Sequence, residues 1–138
     1  LLPTDGMIPL GVRFITKDML DVSGVGAGAF GYYRAGDKRY RVASMLRADA
    51  DQTKDVIGTL MKLPGATKEK GVGEGAVRLM HTDGTLAVEW VFARSGKRVL
   101  GVGDEARVLR SGQTADEHAK VALTKDEKIA RLKKLLAP

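Results

Sequence analysis

Residues 30–63, FGYYRAGDKRYRVASMLRADADQTKDVIGTLMKL, decide the fold. Phe30 and Tyr32 step by two, and so do Tyr40, Val42 and Ser44, with Arg39 and Arg41 alternating between them. A period of two with one apolar side is the pattern of a half-buried strand. Arg34-Ala35-Gly36-Asp37-Lys38 joins the two runs. Gly36 supplies a positive φ and Asp37 can bond its own backbone, so a short hairpin loop is expected. The polar stretch after Leu46 then offers Asp49 or Asp51 as a helix N-cap, with Asp49 and Gln52 spaced as a capping box requires. Val56, Leu60 and Leu63 follow at i, i+4 and i+7, and Ile57 and Met61 widen the stripe. Pro64-Gly65 ends this helix. Each large apolar side chain buried on the stripe contributes roughly 1.5–3 kcal/mol. Gly58 costs about 1 kcal/mol relative to Ala.

Outward from that unit, Val12 to Ile15 is a candidate short strand with Val12 and Phe14 on one face. The apolar, Pro- and Gly-bearing residues 1–11 are expected to run extended along the domain, and residues 16–20 to form a turn or a short helical piece. On the C-terminal side, residues 65–75, GATKEKGVGEG, read as a polar connecting loop. Three strands then form a meander. They are Ala76 to His81, Leu86 to Ala93 and Lys97 to Val102, turning at Asp83-Gly84 and Ser95-Gly96. Leu86, Val88, Trp90 and Phe92 share one face of the middle strand, which makes Trp90 a core anchor. Two further capping boxes, Thr114 with Glu117 and Thr124 with Glu127, open a helical tail.

The fold class these elements predict is α+β, in the order β-ββ-α-βββ-α. A mostly antiparallel sheet of five to six strands carries helix 50–63 on one face. Residues 1–112 form the domain and residues 113–138 the C-terminal helical tail.

The chain has 138 residues, enough for one domain. It has no Cys, which excludes disulfides, thiolate zinc sites and thiol nucleophiles. No apolar run approaches the length of a membrane-spanning helix. The net charge is +6. Nine Lys/Arg stand against seven Asp/Glu in residues 1–63, eight against six in 64–114, and six against four in 115–138. An excess spread so evenly argues against nucleic acid as a partner, because nucleic-acid binders concentrate their charge.

Chemistry-bearing motifs are few. Gly26-x-Gly28-x-x-Gly31 has the spacing of a dinucleotide fingerprint, but strand and hairpin follow it where a helix N-terminus is needed, so no cofactor is assigned. His81 and His118 fall in different elements without metal-ligand spacing, so no metal is assigned. No catalytic residue is assigned either, for want of a nucleophile elbow, a Walker loop or an H-E-x-x-H motif.

Two candidate binding regions stand out. The tail KDEKIARLKKLL is a basic amphipathic helix with Lys128, Ile129, Arg131, Leu132, Leu135 and Leu136 as candidate partner-binding residues. It either packs back on the sheet or projects toward a protein partner or a membrane surface. The glycine-rich loops, with Gly24, Gly26, Gly28 and Gly73, are candidates to hold a small ligand beside an open sheet face. The function expected is a non-catalytic binding or accessory-subunit domain, with a small-ligand binding module as the alternative.

The segments FGYYRAGDKRYRV and ADADQTKDVIGTLMKL, with LLPTDGMIPLGVRF and FARSGKRVLGVG, resemble a bacterial family of domains of unknown function. The resemblance covers residues 1–103 and leaves the basic tail outside it. Members are often predicted to be exported or lipid-anchored. The resemblance therefore implies a periplasmic or envelope location, with a cytoplasmic one as the alternative, and supplies no catalytic residues. The chain begins Leu1-Leu2-Pro3 rather than with Met, as expected of a processed chain or of part of something longer. Processing would place a signal peptide or a lipid-bearing, membrane-anchored N-terminus upstream.

Overall fold

A computed structural model of the chain describes residues 2, 7–83, 86–105 and 122–137. These residues form one antiparallel sheet of seven strands, with a helix on each face. The strands are β1 (Met7–Ile15), β2 (Gly28–Ala35), β3 (Lys38–Leu46), β4 (Thr67–Glu69), β5 (Gly75–Asp83), β6 (Leu86–Ser95) and β7 (Arg98–Asp104). The α-helices among the described residues are α1 (Ala50–Met61) and α2 (Lys125–Leu136). In space the strands lie in the order β1-β2-β3-β7-β6-β5-β4. Two meanders, β1-β2-β3 and β4-β5-β6-β7, thus join side by side through β3 and β7. Their junction is a continuous ladder from Tyr40↔Asp104 to Leu46↔Arg98.

The α+β class expected from sequence holds, with more strands than expected. The extra one is β4, which forms inside the stretch read as a connecting loop and pairs Thr67–Glu69 with Ala76–Arg78. A three-residue strand has too few alternations to show a period, so only its pairing reveals it. β1 also starts earlier than expected, at Met7, with its register broken between Met7↔Tyr33 and Val12↔Gly31. Pro9 and Gly11, both poor ladder residues, lie in that break.

The β2–β3 hairpin turns on Gly36 at φ 61, as its sequence implied. Helix α1 starts where Asp49 accepts a hydrogen bond from Gln52 N at 2.9 Å, while Gln52 Oε1 accepts from Ala48 N. The chain leaves it through Gly65 at φ 77. Thr53, Val56, Ile57 and Leu60 are its buried side. The last three share a cluster with Trp90, Phe92, Val77, Leu79 and Val99 on one sheet face. Trp90 is fully buried, as an anchor should be. Its ring and that of Phe92 lie over the cross-strand Gly103 and Gly101, where a Cβ would collide with them. Those glycines explain why β7 shows no clean alternation: it is central, buried on both faces, and flat where the rings sit.

The opposite face carries Tyr33, Tyr40, Val42, Val91, Ala93, Leu100 and Val102, joined by Leu123 and Leu132. Tyr33 and Tyr40 stack at 5.4 Å between centroids. Burial, and then the neighbouring Tyr40, push the Tyr33 hydroxyl up to about 12. Helix α2 lies on this face, so the sheet is not open along β6 and β7 as the sequence had suggested.

A candidate docking groove

Helix α2 begins with a complete capping box. Thr124 accepts from Glu127 N at 3.2 Å, and the Glu127 carboxylate accepts from Thr124 N at 3.0 Å. The other expected box, Thr114 with Glu117, lies outside the described residues. Of the stripe singled out in the sequence, Leu132 is wholly buried, and Ile129, Leu135 and Leu136 pack at the edge of the same cluster. Lys128 is buried too, with its ammonium 2.9 Å from Glu89 Oε1 and 2.7 Å from Asp104 Oδ1. Asp104 also accepts from Glu89 N at 2.8 Å, and Arg78 Nε donates to Glu89 at 2.7 Å. Burial pushes the Glu89 carboxyl up, but hydrogen bonds and charges from Lys128 and Arg78 outweigh it and hold the group below its ordinary value. Arg131 lies 4.8 Å over the Tyr40 ring and donates to its hydroxyl at 3.2 Å. Lys38 pairs with Glu127, and Lys125 with Glu69 at 3.0 Å. Helix α2 therefore takes the packed one of its two expected arrangements. All six candidate partner-binding residues face or flank the chain's own sheet.

The candidate ligand loops do not converge. Gly73 is pressed against Arg94 O and Leu136 beside β5. Gly24, Gly26 and Gly28 lie before and within β2, four strand spacings away across the sheet. The first loop is pinned rather than open. Gly26 N donates to Asp18 Oδ1 at 2.7 Å, and Met19 N to Gly26 O at 2.9 Å. Arg47 donates to the carbonyls of Val25 at 2.6 Å, Ala27 at 2.9 Å and Leu46 at 2.8 Å. Within this loop Leu20 sits at φ 58, a costly backbone for a branched residue, and is held there by burial.

What the pinned loop does is wall a groove. The register Phe14↔Ala29↔Ser44 carries Val12, Phe14, Ala29, Ser44 and Leu46 onto one side of β1-β2-β3, the side on which α2 lies farther along. With Leu2, and with Gly28 and Arg47 at its end, this strip lines a groove of about 790 Å³. Phe14 is 77 % exposed and Leu46 71 %. Of the candidate glycines, Gly28 alone lines it. A second hollow, of about 630 Å³, lies between α1 and β5–β6. Polar and charged residues line it, among them Lys54, Lys62, Lys68 and the Arg94–Glu74 pair, with much of their apolar stems exposed to it.

The alternation in Val12–Ile15 placed Val12 and Phe14 together from sequence but could not show that β1 is an edge strand. Leu46 closes β3 and gave no signal of its own. Among the described residues no group of three or more His, Asp or Glu could hold a metal, and no helix is long and apolar enough to cross a membrane. Compared with family models, curated proteins and solved structures, the chain matches none.

Proposed function

We propose that the chain is a non-catalytic binding module, an accessory domain whose docking surface is the bare end of the β1-β2-β3 face. The observation that supports this is the exposure of Phe14 and Leu46 in one groove, on the sheet face whose β6–β7 part α2 covers. Exposed apolar surface that is contiguous rather than scattered marks an interaction site. The partner class is protein, because the groove exposes large apolar side chains and is bounded by a sheet edge. The apolar side of α2, expected from sequence to serve as the docking element, is used internally. Its solvent side, with Lys133 and Lys134, is at most an accessory contact. An envelope setting belongs to the same proposal and rests on the resemblance alone.

The test is binding reconstituted from purified components. Proteins captured from the native source by the wild-type chain and lost with F14D/L46D are identified, purified and titrated. Affinity at least tenfold lower for F14D/L46D supports the groove. Equal affinity, with both chains folded, removes it as the docking surface. A second reading is favoured by the groove's volume, which falls within the range of small-ligand sites. An apolar small molecule co-purifying with the wild-type chain, and absent from F14D/L46D, would select it.

A further inference from the structure

The groove borders a strand edge that is terminal among the described strands, and this gives its occupant a chemistry. Strand β1 is terminal in the sheet and pairs only with β2 among the described strands. Its first half is a poor template, since Pro9 lacks an N–H and the register breaks before Val12. From Val12 to Ile15 the ladder with β2 is regular, residue against residue. A regular strand at the sheet margin presents an outward row of N–H and C=O groups, to which an extended segment can add as an eighth strand. Side chains alternate along such a strand, so every second one would lie beside Val12 and Phe14 on the groove side. The intervening ones would lie beside Arg13.

Charge decides what those intervening side chains are. Residues 7–17, MIPLGVRFITK, hold two cations and no acid. Arg13 and Lys17 are exposed, and neither makes an ion pair among the described residues. Arg47, at the end of the groove, is held by three carbonyls and no carboxylate. A second copy of β1 would bring Arg13, and Lys17 just past the strand end, against the same cations with no acid on either strand, so self-pairing is opposed. Cross-strand opposite charges contribute roughly 0.2–1 kcal/mol each, and like charges cost similarly.

The geometry points to β1 as a strand-addition site for an extended partner segment that alternates apolar and acidic side chains. The apolar set lies in the groove over Val12 and Phe14, and the acidic set lies beside Arg13 and Lys17. This rests on the reading of the chain as a protein-binding module and goes further by stating how the partner is held.

Fluorescent octapeptides test it by anisotropy against the full chain. One alternates Val and Glu, one alternates Val and Lys, and one has the Val/Glu composition in two blocks. A fourth is the alternating Val/Glu peptide with N-methyl groups on every second backbone nitrogen, made in both phases. Strand addition predicts weak binding of the alternating Val/Glu peptide, with a Kd on the order of 0.1–1 mM. It predicts a loss of at least about tenfold for the Lys peptide, the block peptide, one phase of N-methylation, and the R13E/K17E chain. No saturable binding of the alternating Val/Glu peptide overturns the proposal. So does binding that is indifferent to N-methylation in both phases, or undiminished by R13E/K17E. A partner recovered through the groove that tolerates R13E/K17E but not F14D/L46D would overturn strand addition while leaving the binding-module reading intact. Sedimentation showing a dimer that R13E/K17E strengthens or leaves unchanged, and F14D/L46D abolishes, would replace it with self-association.

Discussion

Helix α1 is held to one face of the sheet by Val56, Ile57 and Leu60, in one cluster with Trp90, Phe92 and Val77. Helix α2 is held to the other by Leu132, with a buried Lys128 between Glu89 and Asp104 and with Glu127 and Arg131 reaching Lys38 and Tyr40. The first arrangement is dispersive. Many apolar atoms share it, and a small slide of α1 would cost a little of each contact. The second is addressed. Lys128 meets both carboxylates only at one position of the helix, and a buried charge without its partners is expensive. Hydrophobic burial makes α1 adhere, whereas α2 adheres and is also told where to lie. Where it lies leaves Phe14 and Leu46 uncovered.

The sharpest way to break this comparison is Lys128→Met. It removes the ammonium and leaves Glu89 and Asp104 facing each other under the helix. The expected loss is about 4 kcal/mol, within the range for breaking one side of a buried pair, measured by urea denaturation. A loss under about 1 kcal/mol would show that α2 needs no ionic address. A double-mutant cycle with Glu89→Gln then isolates the coupling of that pair.

Leu60→Ala probes the other face. Truncating a fully buried Leu should cost about 3 kcal/mol, by lost transfer energy and by the cavity left behind. No cycle partner should stand out, because the contact is shared among many neighbours. Thr124→Ala, which removes the accepting oxygen of the capping box, should cost about 1 kcal/mol.

Acid should loosen α2 gradually. Hydrogen bonding from Lys38, then from the Thr124 backbone, holds the Glu127 carboxyl down at about 2. Glu89 is lowered as well. A carboxyl lowered by folding binds its proton more readily when unfolded, so its contribution is complete above the ordinary value of about 4.5 and disappears as the pH falls toward 2. Thermal midpoints should decline across that window. Glu127→Gln should flatten the decline, and a curve unchanged by that substitution would deny Glu127 its part. The smallest effect is expected at the bare end of the face. Phe14→Ser should alter stability by less than about 0.5 kcal/mol, since Phe14 is largely in water already. A larger loss would mean that the groove belongs to the core.

Local chemistry made much of this legible in the sequence alone. Gly36 and Asp37 specified the β2–β3 hairpin, Asp49 and Gln52 the start of α1, Thr124 and Glu127 the start of α2, and the alternation through Trp90 and Phe92 a core strand. Each signal lies within a few residues, in backbone conformation or side-chain period, and needs no knowledge of neighbours. The joining of the two meanders through β3 and β7 had no such signal, nor did the short strand β4. Strand pairing depends on partners distant in sequence.

The site shows the same division. The stripe of α2 was visible, but whether it faced a partner or its own sheet depended on Glu89 and Asp104 waiting across 39 and 24 positions of chain. The exposure of Phe14 and Leu46 was invisible, because an apolar residue in a strand reads the same whether a helix covers it or not. Sequence determined most of the elements, the starts of both helices and the apolar sides. Only the tertiary structure decided which of those sides were covered, because coverage is a property of how α2 and the sheet edges are placed against one another.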